Sequence, residues 1–268
     1  MKRKIDIMGI VNLTDDSFFA GSRCVDTAAA MERIGHLLDD GADIIDIGAC
    51  STRPGSVPVG ADEEWRRLAP VLAEVRLSFP ECRISVDTWW SEVVVKVHDL
   101  IGDFIVNDIS AGEDDPLMLE TVGRLGLGYV AMHKRGNPLT MQSLAEYDDV
   151  TSAVREYFQD FSFRASAAGV EDWILDPGFG FAKTIAQNWE LLAGLPGLKT
   201  SYNGRTPRIL VGLSRKSMIC KPLGITPEDS LPAVQAAQMA ALVNGADILR
   251  VHDVKEALQT VTIYNYMY

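Results

Sequence analysis

A repeated unit constrains this chain more than any other feature. A short apolar, β-branched run is followed by a polar loop and then an amphipathic helix, eight times over 268 residues. The runs are Ile5–Leu13, Ala42–Gly48, Arg83–Thr88, Phe104–Ser110, Gly128–His133, Trp173–Pro177, Arg208–Ser214 and Asp247–Asp253. Their apolar residues are nearly continuous, as in strands covered on both faces. Parallel strands need long crossovers, and a helix in each supplies both length and cover. One (β/α)8 barrel takes about 250 residues. The expectation is therefore an α/β chain folded as a (β/α)8 TIM barrel, a single domain over residues 1–268. A doubly wound open sheet is the second choice. It would need a ligand at a topological switch point, and no G-x-G-x-x-G follows the first run.

The helices carry their own signals. Asp26 can cap the first, in which Ala30, Ile34, Leu37 and Leu38 share a face. Trp65, Leu68, Leu72 and Val75 mark the second. Gly41, Gly126, Gly169 and Gly245 stand where helices pass into strands, a position that suits a left-handed cap. Pro232 leaves one start open between Thr226 and Ser230.

Charge and hydropathy narrow the partners. The net charge is −12, which disfavours a nucleic acid. No apolar run approaches the roughly 20 residues that span a membrane. Met1-Lys-Arg-Lys leads into a stretch broken by Asn12, Thr14, Asp15 and Asp16, which does not read as a secretory leader. Cys24, Cys50, Cys82 and Cys220 lack metal-like spacing and read as free thiols, consistent with a cytoplasmic protein.

The chemistry sits at the ends of the runs. Asn12, Asp46, Asp87, Asn107 with Asp108, His133, Asp176, Ser214 with Arg215 and Lys216, and Arg250 with His252 close the eight runs in order. A barrel points all eight C-terminal ends to one face. Buried polar groups are costly unless partnered, so eight strands sharing this habit mark a site. Asp87, Asn107, Asp176 and Lys216 suit a flat heterocycle: the carboxylates accept from ring and amino N–H groups, and the lysine donates to a carbonyl or ring nitrogen. Arg53, Arg215, Lys216, Arg250 and His252 form a cationic set suited to phosphate or diphosphate. Ser214 and Ser217 have no evident base, which argues against covalent catalysis. Glycine-rich loops after the first, second and sixth runs permit close approach to a ligand. His36 and His98 read as surface histidines and the five tryptophans as packing residues, and the role of His133 stays open.

With these strings in order, the chain resembles the dihydropteroate synthases. The likeness rests on Gly9-Ile-Val-Asn-Leu-Thr, Asp46-Ile-Gly-Ala-Cys-Ser-Thr-Arg-Pro-Gly, Ser85-Val-Asp-Thr, Asn107-Asp-Ile-Ser, Ala131-Met-His, Asp176-Pro-Gly-Phe-Gly-Phe-Ala-Lys-Thr, Gly212-Leu-Ser-Arg-Lys-Ser and Arg250-Val-His-Asp. It implies a transferase that joins 6-hydroxymethyl-7,8-dihydropterin diphosphate to p-aminobenzoate through a cation-like methylene. It implies catalytic roles for Asp87, Asp176 and Lys216, and pterin binding by these with Asn107 and Met132. Thr52, Arg53, Arg250 and His252 would hold the diphosphate, and Pro54, Phe181, Lys216 and Ser217 would frame the p-aminobenzoate. Asn12 would ligate Mg2+, and the molecule would be a homodimer. The first loop departs from the family at Asp15, Phe19 and Ala20, and Cys50 stands where glutamate is frequent. The alternatives are a methyltetrahydrofolate-dependent methyltransferase of the same barrel class and a non-catalytic pterin-binding paralogue.

Overall fold

Eight parallel strands pair in chain order, and the last returns to the first to close a barrel. The computed structural model describes residues 3–13, 27–50, 59–136 and 140–268. The strands are β1 (Asp6–Asn12), β2 (Ile44–Gly48), β3 (Arg83–Asp87), β4 (Ile105–Asp108), β5 (Gly128–Met132), β6 (Trp173–Asp176), β7 (Arg208–Val211) and β8 (Ile248–Val251). The helices are α1 (Thr27–Asp39), α2 (Ala61–Ser78), α3 (Ser91–Ile101), α4 (Met118–Leu125), α5 (Val150–Ala167), α6 (Ile185–Ala193), α7 (Ser217–Leu223), α8 (Leu231–Val243) and α9 (Val254–Met267). The closed barrel answers the choice between barrel and open sheet.

Each expected run contains a strand, and most runs overshoot it. The β7–β8 ladder ends at the pair Val211 and Leu249. Ser214, Arg215 and Lys216 therefore lie past the strand, in a turn where Arg215 takes φ 61°. β6 stops before Pro177, which has no N–H for a ladder. Gly41, Gly126, Gly169 and Gly245 all take positive φ, as their helix-to-strand junctions require. Ser230, not Thr226, precedes α8, and Pro232 falls in its first turn, where a missing N–H does no harm.

The main core fills the space between strands and helices. Ala30, Ile34 and Leu37 of α1 and Leu68, Leu72 and Val75 of α2 are buried there. A second cluster plugs the barrel: Met8, Ile44, Val130, Ile174, Leu210 and Ile248, with Ile105 against it. Strand side chains alternate, so the inward neighbours of this plug lie two residues on. Two residues toward the N-terminal end, Asp6 meets Arg83 at 2.9 Å and Arg208 at 2.8 Å. Two residues the other way stand Asp46, Asn107, Met132, Asp176 and Arg250. The interior is thus an apolar plug between two charged layers, and the upper one faces the loops. Among the described residues, no helix is long and apolar enough to cross a membrane.

Candidate active site

Asp46 is the hub of the upper layer. It is fully buried, and its Oδ2 accepts from Arg250 Nε at 2.6 Å. Asn107 Nδ2 donates to the same carboxylate at 3.1 Å, and Ser85 Oγ donates to its Oδ1 at 2.6 Å. Arg250 also reaches Asp87 Oδ2 at 3.0 Å with Nη2. The other Asp87 oxygen, Oδ1, is buried without a hydrogen-bond partner. Sequence reading placed Asp46 at a strand end but gave it no role at the site. Counting two residues on from Ile44 would have put it inside the barrel.

Electrostatics follow from this crowding. Burial holds the Asp87 carboxyl at about 7, helped by Asp46, Asp108 and Asp176 and opposed by Arg250. Burial also raises Asp176, against the pull of Lys216, the Gly178 N–H and Arg250. Lys216 is pushed down to about 8 by burial, with Asp176 opposing. Burial works against the Arg250 charge as well, but Asp46 and Asp87 outweigh it and hold the guanidinium charged.

The β6–α6 loop supplies the next wall. Asp176 Oδ1 accepts the Gly178 N–H at 2.8 Å. Lys216 Nζ donates to the Phe179 carbonyl and lies 5.3 Å from the centre of the Phe181 ring. Beside the carboxylates, Cys50, Trp89, Ile109 and Met132 form an apolar cluster, with Val59, Trp90 and Phe181 packed on it. The mouth thus combines a polar floor with a largely apolar side wall, a composition suited to a flat ring with polar edges.

The structure brings Asp87, Asn107, Asp176, Lys216, Arg250, Met132 and Phe181 to this one mouth. Asn12 ends β1 on the same face and is half-buried. His252 follows β8, with its Nδ1 3.0 Å from Ser214 Oγ. Ser217 opens α7 and is exposed. Arg250, read as a rim cation, instead bonds the two floor carboxylates. Arg215, also read as a rim cation, turns to Asp253 at 2.6 Å with a side chain 7% exposed. Its charge is neutralised locally because the turn after β7 runs beside the start of α9. Thr52, Arg53 and Pro54 lie outside the described residues, as do Asp15, Phe19 and Ala20.

One buried acid escaped sequence reading. Glu64, in the first turns of α2, is fully buried, and the Thr88 hydroxyl is the polar group that favours its charge. Burial holds it at about 8, with Thr88 lowering it and the Asp87 charge raising it further.

Residues 8–252 match the family model described as "Pterin binding enzyme". The chain is 39% identical over 259 residues to the dihydropteroate synthase of Escherichia coli K12, covering 96% of this chain and 89% of that one. The chain belongs to the dihydropteroate synthase family. Its fold superposes on the Yersinia pestis dihydropteroate synthase, solved with a sulfonamide drug, with a TM-score of 0.92. That pair shares 36% identity, over 99% of this chain and 94% of the other. The Burkholderia cenocepacia dihydropteroate synthase, solved with 7,8-dihydropteroate, gives a TM-score of 0.87 at 33% identity, over 98% and 91% of the two chains. Dihydropteroate synthases are transferases, and this member keeps the closed barrel end to end.

Proposed function

We propose that this chain condenses 6-hydroxymethyl-7,8-dihydropterin diphosphate with p-aminobenzoate, giving 7,8-dihydropteroate and diphosphate. One observation carries the reading: Asp87, Asn107, Asp176 and Lys216 converge on a single mouth over the Asp46–Arg250 floor. Asp176 and Asn107 hold the amino and ring N–H groups of the pterin, and Lys216 donates to a ring acceptor. To do so, Lys216 turns from the Phe179 carbonyl toward the ring. Met132 packs on the ring face.

The C–O bond to diphosphate breaks with its electron pair leaving on oxygen. Positive charge then spreads from the methylene into the ring. Asp87 and Asp176 lie where that charge develops, and preorganised carboxylates in a dry site stabilise it strongly. The aromatic amine attacks the methylene carbon and then gives up one proton to solvent or diphosphate. Its nitrogen is already nucleophilic toward such an electrophile, so no strong base is required. Phe181, Lys216 and Ser217 would frame that second substrate, a role that the resemblance also assigns to Pro54. His252, with Arg250 at the edge of the floor, would hold the leaving diphosphate, a role that the resemblance also assigns to Thr52 and Arg53.

Among the described residues, no group of three or more His, Cys, Asp or Glu could hold a metal ion by itself. Asn12 offers one hard oxygen donor, which fits Mg2+ held mainly by diphosphate oxygens. When bound, that ion would neutralise charge on the departing diphosphate. Asn12 would orient the pair from the end of β1.

A homodimer is part of the same reading. Ala236, Met239, Ala240 and Val243 form an uncharged stripe at helical spacing along α8, Val243 being 49% exposed. The free thiols of Cys50, Cys82 and Cys220 support a reducing, cytoplasmic setting.

The test is diphosphate release from purified protein with Mg2+ and the pterin diphosphate. Release should depend on added p-aminobenzoate and be lost with a chelator. Pterin binding without release would favour the non-catalytic alternative.

A further inference from the structure

The β6–α6 loop is held by two lysines, and the proposed chemistry uses only one of them. Gly178, Gly180 and Ala182 all take positive φ, at 70°, 84° and 47°. The carbonyls of Gly178, Phe179 and Phe181 are each met by an ammonium group. Lys216 takes Phe179. Lys183 takes Gly178 at 2.9 Å and Phe181 at 3.0 Å. Lys183 Nζ also lies 2.9 Å from His133 Nδ1. Lys183 is 3% exposed and His133 2% exposed.

The chemistry of the pair is consistent with its geometry. Burial lowers the Lys183 amine to about 7, with the Asp176 charge opposing; when it is protonated, three donors meet three acceptors. Burial, then the charges of Lys183 and Arg135, push His133 down to about 2. The imidazole is therefore neutral, and in the Nε2–H tautomer its Nδ1 accepts from a protonated Lys183. Asn188 completes the clasp: Oδ1 takes the Gly180 N–H at 2.7 Å, and Nδ2 returns to the Thr184 carbonyl at 2.7 Å.

Substrate binding asks Lys216 to leave the Phe179 carbonyl. The loop must keep its shape without that bond, because Phe181 hangs from it. We propose that Lys183, seated on His133, is a positioning residue that fixes this loop and aims the Phe181 ring at the aromatic amine substrate. The inference rests on the function proposed above. It gives His133 a role that the sequence left open.

The experiment is steady-state kinetics of Lys183→Met, His133→Leu and His133→Asn in the full-length protein, varying each substrate in turn. Lys183→Met removes all three donors at similar length. It should raise the KM for p-aminobenzoate about tenfold or more, while the KM for the pterin diphosphate and kcat change less than about threefold. His133→Leu should give the same split in smaller measure. His133→Asn, which restores an acceptor, should return the p-aminobenzoate KM toward wild type. A role in stability alone would lower the active fraction, and so kcat, with both KM values unchanged; that result overturns the proposal, as does an equal rise in both. If Lys183→Met does not fold, the two His133 variants decide by the same criterion. Wild-type protein without p-aminobenzoate-dependent release would end the functional reading itself, whereas active wild type with unsplit variants would end only this inference.

Discussion

Asp176 faces two ways at the mouth, with Oδ1 on the Gly178 N–H and its charge opposed to Lys216. Asn at this position can still accept from Gly178 but loses the charge that meets the developing cation. Asp176→Asn should therefore cut turnover about 10²–10³-fold while the melting curve stays cooperative. Near-normal turnover would remove Asp176 from the chemistry. Glu64 makes a prediction about stability instead. Its folded value of about 8 lies above the ordinary 4.5, so the folded state prefers the protonated form. As pH rises from about 4.5 the unfolded chain releases this proton first, and stability falls until the folded value is passed. Above pH 8 the penalty is complete, roughly 3–5 kcal/mol for such a shift. Glu64→Gln cannot ionise. It should match wild type in thermal melts near pH 4 and be clearly more stable at pH 8.5. Equal stability at both pH values would contradict the burial of this acid.

The β6–α6 loop is the element on which the site depends most, and Gly178 is its tightest point. With φ 70°, a Cβ there would meet the His133 carbonyl oxygen at 1.9 Å. Backbone cannot give way as a side chain can, so Gly178→Ala should cost about 2 kcal/mol or more in urea unfolding. An unchanged midpoint would mean that the loop adapts. The strands that carry the site were legible because each ends an apolar run in a polar residue. Asp87, Asn107 and Asp176 were read that way, and barrel closure brought them together. Glu64 was not legible, since Ala61-Asp-Glu-Glu reads as the solvated acidic start of a helix. The fold sets it beside Asp87 and Thr88 at the end of β3, where it is buried. Lys183 reads as a surface lysine in a glycine-rich loop for the same reason. Arg215 was misread because its partner Asp253 belongs to the next strand's exit, 38 residues away.

Taken whole, the molecule is an apolar plug with charge at both ends, wrapped in helices. The lower end is neutralised internally by Asp6 with Arg83 and Arg208. The upper end instead sets Asn107, Asp176 and Lys216 beside Asp87 and Arg250, and this face gathers the groups able to bind a polar ring. The outer surface carries the proposed dimer contact. Met239→Glu places a charge in the centre of the α8 stripe and should convert the protein to a monomer in sedimentation velocity; an unchanged dimer would put the contact elsewhere. The site itself is tested most directly by diffraction from a crystal soaked with a 7,8-dihydropterin. The ring should lie across Asp87, Asn107 and Asp176, with Lys216 Nζ turned from the Phe179 carbonyl to a ring acceptor. A ring seated away from these four side chains would contradict the assignment.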